Sequence, residues 1–198
     1  MKDHWNKRFT ADEYIYGIRP NEFFAETLAN LKPGKLLLPG EGEGRNAVWA
    51  AQNGWDVTAV DYSEAGRNKA LKLAIQSNVQ LSEYIISDLK DYIAKPGSYD
   101  AIALIYIHMD PVLRQKVHPM LANALKPGGI LILEAFNKEQ IKHNSGGPKN
   151  VELLYSTDII AKDFETLRIK YLENFSHKLS EGILHNGYAK LVRMIATK

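Results

Sequence analysis

The chain has no cysteine among its 198 residues. Disulfides, thiolate nucleophiles and cysteine-based zinc sites are thereby excluded. It also lacks an excess of either charge: 25 Lys and Arg stand against 23 Asp and Glu, a formal net of +2. That is too little to argue for nucleic acid or a membrane surface, and no Lys/Arg run concentrates it. No apolar stretch approaches transmembrane length. The opening residues, Met1-Lys2-Asp3-His4-Trp5-Asn6-Lys7-Arg8, are polar where a signal sequence needs an apolar core. The expectation is a cytoplasmic protein, monomer or homodimer, with neither nucleic-acid nor membrane partners. The six histidines show no ligand spacing, so no metal site is expected. Composition is ordinary for a globular chain, with 45% hydrophobic and 24% charged residues. No repeat, low-complexity tract or linker divides it, so residues 1–198 read as one domain.

What the chain does have is a patterned turn. The apolar run Leu36-Leu37-Leu38-Pro39 breaks into Gly40-Glu41-Gly42-Glu43-Gly44, followed by Arg45-Asn46-Ala47-Val48-Trp49. A short apolar run stopped by glycine reads as a buried parallel strand. The residues after Gly44 lack Gly and Pro until Gly54, so they can form a helix. The glycines then occupy a strand-to-helix turn, where a ligand can approach the backbone. A second apolar strand, Val57 to Val60, ends at Asp61. An acid there, about 20 residues after the first glycine, is where nucleotide-binding folds hold a ribose hydroxyl. The plainer reading is a tight turn, with Asp61 capping the next helix.

The dinucleotide fingerprint is G-x-G-x-x-G, with a helix N-terminus aimed at a pyrophosphate. This turn is G-x-G-x-G and carries Glu41 and Glu43. Two acids would repel two phosphates. A ligand with ribose and adenine but no phosphate, and with positive sulfonium and amino groups, suits it better. S-adenosylmethionine is such a ligand. A nicotinamide-dependent oxidoreductase shares the fold logic but needs a third glycine at another spacing.

Further segments continue the series: Gly44-Arg45-Asn46, Val57 through Asp61-Tyr62-Ser63, Ser87-Asp88-Leu89, Tyr99 to Ile105, and Leu125-Lys126-Pro127-Gly128-Gly129 running on to Glu134. Together they resemble the class I adenosylmethionine-dependent methyltransferases, and most closely the small bacterial branch of tellurite-resistance-type and thiopurine-type enzymes. The resemblance covers most of residues 30–137. It implies a methyltransferase that uses S-adenosyl-L-methionine on a small-molecule acceptor. It also implies cofactor contacts from Gly40, Glu41, Gly42, Gly44, Arg45, Asn46, Asp61, Tyr62, Asp88 and Leu89. Many family members carry an acid where Leu38 stands, near the methionyl amino group, which leaves Glu41 as the substitute on offer. A non-catalytic adenosylmethionine-binding protein stays open as an alternative, because fold does not fix function.

The coarse organisation alternates. A helix spans 20–31, strands fall at 35–39, 56–61, near 82–86, near 99–107 and at 129–136, and helices lie between them. Two alternating runs, about 165–175 and 183–196, read as an antiparallel pair. The fold class is therefore α/β: a Rossmann-like three-layer sandwich with a mostly parallel seven-stranded sheet and an antiparallel C-terminal edge pair. Residues 1–20 carry Trp5, Phe9, Tyr14 and Tyr16 and read as an arm or lid. Tyr16 is its candidate for the sulfonium, since aromatic faces attract cations. Ordinary packing explains the same aromatics. The polar segment 137–150, with Gly146-Gly147-Pro148, is too long for an ordinary connection and reads as a mobile substrate-side loop.

A soft nucleophile such as a thiolate or selenide needs no base, whereas a neutral hydroxyl or amine does. The candidate bases are His108, His143 and His185. His108 is placed first because it follows the fourth strand, and ligands in open α/β sheets bind at the carboxyl ends of strands. Asp88 can accept from an adenine amino group or simply cap the turn Lys90-Asp91-Tyr92. Asp100 starts the fourth strand, at the far edge, and reads as structural.

Overall fold

The structure, a computed structural model, describes residues 2–198, with side chains from Trp5 onward. His4 lies outside the described side chains. The elements run α1 (Lys2–Phe9), α2 (Glu22–Ala29), β1 (Lys35–Pro39), α3 (Arg45–Gln52), β2 (Asp56–Asp61), α4 (Glu64–Gln76), β3 (Glu83–Ile86), β4 (Tyr99–Ile105), α5 (Pro111–Ala124), β5 (Leu125–Phe136), α6 (Thr157–Asp163), β6 (Arg168–Ser180) and β7 (Asn186–Thr197). One seven-stranded sheet has the order β3-β2-β1-β4-β5-β7-β6. The first five strands are parallel, and β7 is antiparallel to both β5 and β6. The expected architecture is the observed one.

Strand β1 explains the topology. Leu36, Leu37 and Leu38 are all fully buried because helices cover both faces of the sheet. Leu36 and Leu38 pack with Phe24, Leu28, Val48 and Trp55 under α2, α3 and α4. Leu37 points to the opposite layer, with Leu104, Leu121 and Phe164 under α5 and α6. Burying each such side chain contributes about 1.5–3 kcal/mol against the entropy of ordering it. Strand β1 pairs with β2 on one side and β4 on the other, so the strand order reverses there while all three run parallel. A crevice at the carboxyl ends of β1 and β4 is the result. Ser63 and Asp110 cap α4 and α5 with their side chains, and Pro111 opens α5 where it lacks nothing by having no N–H.

Three boundaries differ from expectation. The arm begins as helix α1 rather than as scattered aromatics: Trp5 and Phe9 lie one helical turn apart, with their rings in tilted contact at 5.4 Å. Strand β5 reaches back to Leu125 through an irregularity: Tyr99 pairs with Leu125, then Ala101 with Ile130. Strand β4 ends at Ile105 because Tyr106 turns left-handed, with φ 55°.

Segment 137–150 is also not a loose loop. It starts with a 3-10 turn, Lys138–Lys142, and Gln140 is buried. The Gln140 amide donates to Ser145 Oγ (3.0 Å) and Gly146 O (3.0 Å), and its carbonyl accepts from Lys190 N (2.8 Å). Ser145 Oγ donates to Tyr188 O at 2.5 Å. The segment is thus fastened to β7. The buried polar residues Gln140 and Ser145 make these internal bonds, while Lys138, Glu139, Lys142, Asn144 and Lys149 face solvent.

Candidate active site

The glycine turn hooks over the end of β2. Both Gly40 N and Glu41 N donate to Val60 O, at 2.6 and 3.2 Å. Gly40, Gly42 and Gly44 have φ of 66°, 62° and 87°, a region in which a side chain is strained. A Cβ on them would meet protein. Its neighbour would be Ile107 Cδ1 at 2.1 Å from Gly40, Phe9 Cζ at 3.1 Å from Gly42, and Ala70 Cβ at 2.4 Å from Gly44. The turn therefore needs glycine for backbone conformation and for packing under α1, not to clear a path for a ligand along the Cβ direction.

Its two acids have opposite fates. Glu41 Oε1 accepts from Asn46 N (2.9 Å) and Ala47 N (2.8 Å), capping α3, whose own N-cap, Gly44, has no side chain. Desolvation pushes the Glu41 carboxyl up to about 7, against the pull of those amides and of Arg45. Glu43 turns away instead. It pairs with Lys69 Nζ at 2.6 Å and accepts from Ile15 N at 2.9 Å, which fastens the arm. Lys69 in turn donates to Ala11 O and Glu13 O. Only Glu41 of the two expected acids stays at the crevice.

Asp61 bridges the turn and α4: Oδ2 accepts from Gly42 N (3.0 Å) and Oδ1 from Ser63 N (2.8 Å). Burial raises its carboxyl above the ordinary range despite these amides. Tyr84 closes the turn from below, its hydroxyl donating to Gly42 O at 2.5 Å. Tyr62 is half-buried beside Asp61. Asp88 Oδ1 accepts from Lys90 N at 3.0 Å, the plainer role considered for it, while Leu89 is buried behind it.

The side chains of Arg45 and Asn46 are committed within the protein. Arg45 donates to Tyr16 O (3.2 Å) and pairs with Glu181 (3.1 Å). Asn46 Oδ1 accepts from Asn21 N at 2.8 Å. Asn21 Nδ2 reaches Glu134 (2.6 Å) and Glu181 (3.1 Å), and Arg193 pairs with Glu134. This network borders a cavity of about 470 Å³ whose wall includes Tyr16, Asn21, Arg45, Glu134, Glu181 and Arg193.

Above the crevice the arm forms a roof. Ser63 Oγ donates to Asn6 Oδ1 (2.7 Å), Phe9 covers Gly42, and Arg8 donates to Tyr16 Oη (2.9 Å). Tyr16 continues a chain of rings: it lies 4.4 Å from His185, which lies 4.4 Å from Tyr106 and 5.2 Å from Phe136. Tyr106 Oη is buried with no hydrogen-bond partner. A bulky residue at positive φ, carrying an orphaned hydroxyl at a strand end, is the kind of stored strain that marks functional sites.

His108 does not face the crevice as a base would. Its Nδ1 donates to Leu153 O (2.7 Å), and its Nε2 accepts from Phe136 N (3.2 Å). Both nitrogens are used to tie β5 to the segment before α6. Desolvation lowers its pKa to about 4. The left-handed turn at Tyr106 is the physical reason: it ends β4 early and carries His108 back among Phe136 and Tyr155. His143 is engaged through its backbone: its N–H donates to Gln140 O at 2.8 Å and its carbonyl accepts from Lys149 Nζ at 2.6 Å. Sequence reasoning missed Tyr106 and Glu181. The alternation Ile105-Tyr106-Ile107-His108 already gave Tyr106 the same claim to the crevice as His108.

These features define a class. A β3-β2-β1-β4-β5-β7-β6 sheet, with a glycine turn and an acid-ended β2 at its switch point, is the methyltransferase architecture. Residues 37–129 match the methyltransferase domain family. The chain carries a methyltransferase-domain segment within the Rossmann-like methyltransferase fold. Among solved structures it is similar to TehB from Haemophilus influenzae, at 16% identity and TM-score 0.73, over 100% of this chain and 66% of that one. It is similar to the N-methyltransferase NodS from Bradyrhizobium japonicum, solved with S-adenosyl-L-homocysteine, at 10% identity and TM-score 0.74, over 100% and 97%. A protein solved in a study of disulfide-to-thioacetal conversion in echinomycin biosynthesis shares 14% identity and TM-score 0.81, over 100% and 91%. These likenesses are likenesses of fold. No curated protein sequence matches the chain. Among the described residues no helix is long and apolar enough to cross a membrane.

Proposed function

We propose that the chain methylates a small molecule, with a soft sulfur, selenium or tellurium atom as the acceptor, and holds its methyl donor at the glycine turn. One observation carries the donor assignment. The turn keeps two desolvated carboxyl groups, Glu41 and Asp61, while Arg45 and Lys69 beside it are paired with Glu181 and Glu43. Such a turn repels a pyrophosphate and suits a cationic amino group and a ribose diol. Adenosylmethionine supplies a methyl group already activated on a sulfonium.

In this reading Asp61 holds the ribose, Glu41 the amino group that Leu38 cannot reach, and the Gly40–Gly44 backbone the rest of the methionyl portion. Tyr62, Asp88 and Leu89 flank the adenine. Tyr16 presents a ring to the sulfonium. Arg45 and Asn46 act by fixing the arm and the α2 N-terminus against the turn. The roof of α1, with the rings of Tyr16, Tyr106 and Phe136, excludes water from an in-line displacement. The cavity of about 470 Å³ beside Tyr16 and Arg45 is in the range of small-ligand sites. We also propose a cytoplasmic location, and we infer no nucleic-acid partner from the near-neutral charge.

The test is turnover. Purified protein with adenosylmethionine and a panel of thiols, selenols, amines and phenols is expected to release adenosylhomocysteine with at least one small acceptor. Efficient methylation of tRNA or of a protein instead would overturn the small-acceptor reading. Tight binding of a nicotinamide dinucleotide by calorimetry would overturn the donor assignment.

A further inference from the structure

We propose that His185 and Glu181 form the proton-accepting dyad of this site, and that the acceptor is a nucleophile that arrives carrying a proton. The inference rests on the methyltransferase reading above and assigns its acceptor side. Both residues sit at the tip of the β6–β7 hairpin, which folds back over the crevice. Ile183 N donates to Ile15 O at 2.9 Å, and Gly182 packs against the backbone of Tyr16 and Gly17. The hairpin tip and the arm are thereby held together above the carboxyl end of β4.

Within that tip His185 Nδ1 donates to Glu181 Oε2 at 3.4 Å. Glu181 is itself fixed by Arg45 and Asn21. A carboxylate that orients one imidazole nitrogen leaves the other as a lone-pair acceptor of defined direction. His185 Nε2 is that atom. Among the described residues it makes no hydrogen bond, and it is not one of the sealed atoms without a bond there, which are Tyr106 Oη and His118 Nε2. The contrast with His108, both of whose nitrogens are bonded to backbone, is complete.

The surroundings suit the task. The ring is held between Tyr16 and Tyr106, each 4.4 Å away, with Phe136 edge-on at 5.2 Å. Tyr106 Oη, buried close to the Glu134 and Glu181 carboxylates, is the other polar group beside the imidazole. The charged and titratable groups facing His185 are Glu181 on its own hairpin, Arg45 from α3, Arg8 from α1, and His108 after β4. Burial, Arg45 and Arg8 outweigh Glu181, so the imidazole is neutral and ready to take a proton near pH 7. Glu181 is ionised: His185 and Arg45 hold it near 2 although burial works the other way.

The step balances. A lone pair on the acceptor forms the bond to the methyl carbon, and the carbon–sulfur pair returns to the thioether sulfur. The acceptor's proton goes to His185 Nε2, giving an imidazolium opposite Glu181, and leaves to water after product release.

Two thiols separate this role from a structural one. Nitrothiophenol is ionised at neutral pH and mercaptoethanol is not, so only the second needs a base. His185→Gln is expected to cut kcat with mercaptoethanol by roughly 100-fold or more. The KM for adenosylmethionine and turnover of nitrothiophenol should stay within a factor of about three. Equal losses with both thiols, or none with either, would overturn the dyad. Imidazole 15N spectra give a readout that needs no turnover. The neutral Nδ1–H tautomer at His185, lost in Glu181→Gln, supports the dyad. An Nε2–H tautomer or an imidazolium at neutral pH overturns it. If the wild-type protein binds adenosylmethionine but methylates neither thiol, the thiol reading fails, and these spectra still decide the dyad.

Discussion

The two ends of the sheet are built from the same residue types and behave differently. At the amino end, Asp100 accepts from Lys35 N (2.8 Å) and Lys126 Nζ (2.7 Å), and its carboxyl is held below the ordinary range by Lys126. Gly97 and Gly128 there have positive φ, and a Cβ on either would meet nothing within 4 Å. At the carboxyl end, Glu41 and Asp61 are desolvated and shifted upward. The positive-φ glycines 40, 42 and 44 are packed against Ile107, Phe9 and Ala70. Tyr106 is left-handed with an orphaned hydroxyl. At the amino end the charges and the two positive-φ glycines open onto solvent. The carboxyl end keeps strain and upward-shifted acids, as a site does whose missing partner is a ligand.

The largest expected effect comes from Gly42→Val. At φ 62° a β-branched residue is strained, and its side chain would push Phe9 and α1 off the turn. Adenosylmethionine affinity should fall by about 1,000-fold or more, about 4 kcal/mol, measured by calorimetry. Gly128→Val carries similar backbone strain at φ 78° but meets open space, so it should lower the melting temperature without touching affinity. Equal affinity losses in the two variants would erase the distinction between the ends.

Next in size is Asp61→Asn. The amide keeps one acceptor for Gly42 N or Ser63 N but loses the charge that a ribose diol would use. A loss of roughly 1.5–3 kcal/mol in cofactor binding is expected, the range for hydrogen bonds to charged groups. Unchanged affinity in a folded variant would make Asp61 a purely structural clamp between turn and helix.

A smaller, pH-dependent effect belongs to Glu41. Its folded pKa of about 7 lies above its ordinary value of 4.5. The free protein thus holds this proton where the unfolded chain has released it. The stability that Glu41 contributes is present below about pH 4.5 and is lost as pH rises towards about 7. If the ionised form meets the cofactor's amino group, affinity moves the opposite way and rises roughly fivefold from pH 6 to pH 7. Glu41→Gln keeps an oxygen for Asn46 N and Ala47 N, so it should preserve the cap and flatten both dependences.

The sheet was legible because its signals are local. Apolar runs stopped by glycine at 40 and by acid at 61 mark β1 and β2, and the alternation near the C-terminus marks β6 and β7. Asp61 and the glycine turn were legible for the same reason. His185 could be named as a candidate but not ranked, because its worth depends on Glu181 and on a hairpin that folds across residues 15–17. His108 misled because one left-handed residue before it redirects the chain. Glu43 misled because its partner, Lys69, is a helix away in sequence and adjacent only in space.

The smallest effect is expected at the amino end, and it sharpens the comparison most cleanly. Asp100→Asn removes a half-exposed ion pair with Lys126 and keeps an oxygen for Lys35 N. Screening by solvent and salt limits the loss to at most about 1 kcal/mol of stability near pH 7. Because the folded carboxyl is depressed, that contribution is present above the ordinary carboxylate range and fades as pH falls through its folded value. Melting curves of wild type and Asp100→Asn should therefore converge at acid pH and separate slightly at neutral pH. Adenosylmethionine affinity should be the same in both at either pH. An affinity change here, far from the glycine turn, would mean that the two ends are coupled through β4, and that the division between a relaxed edge and a working edge is too sharp.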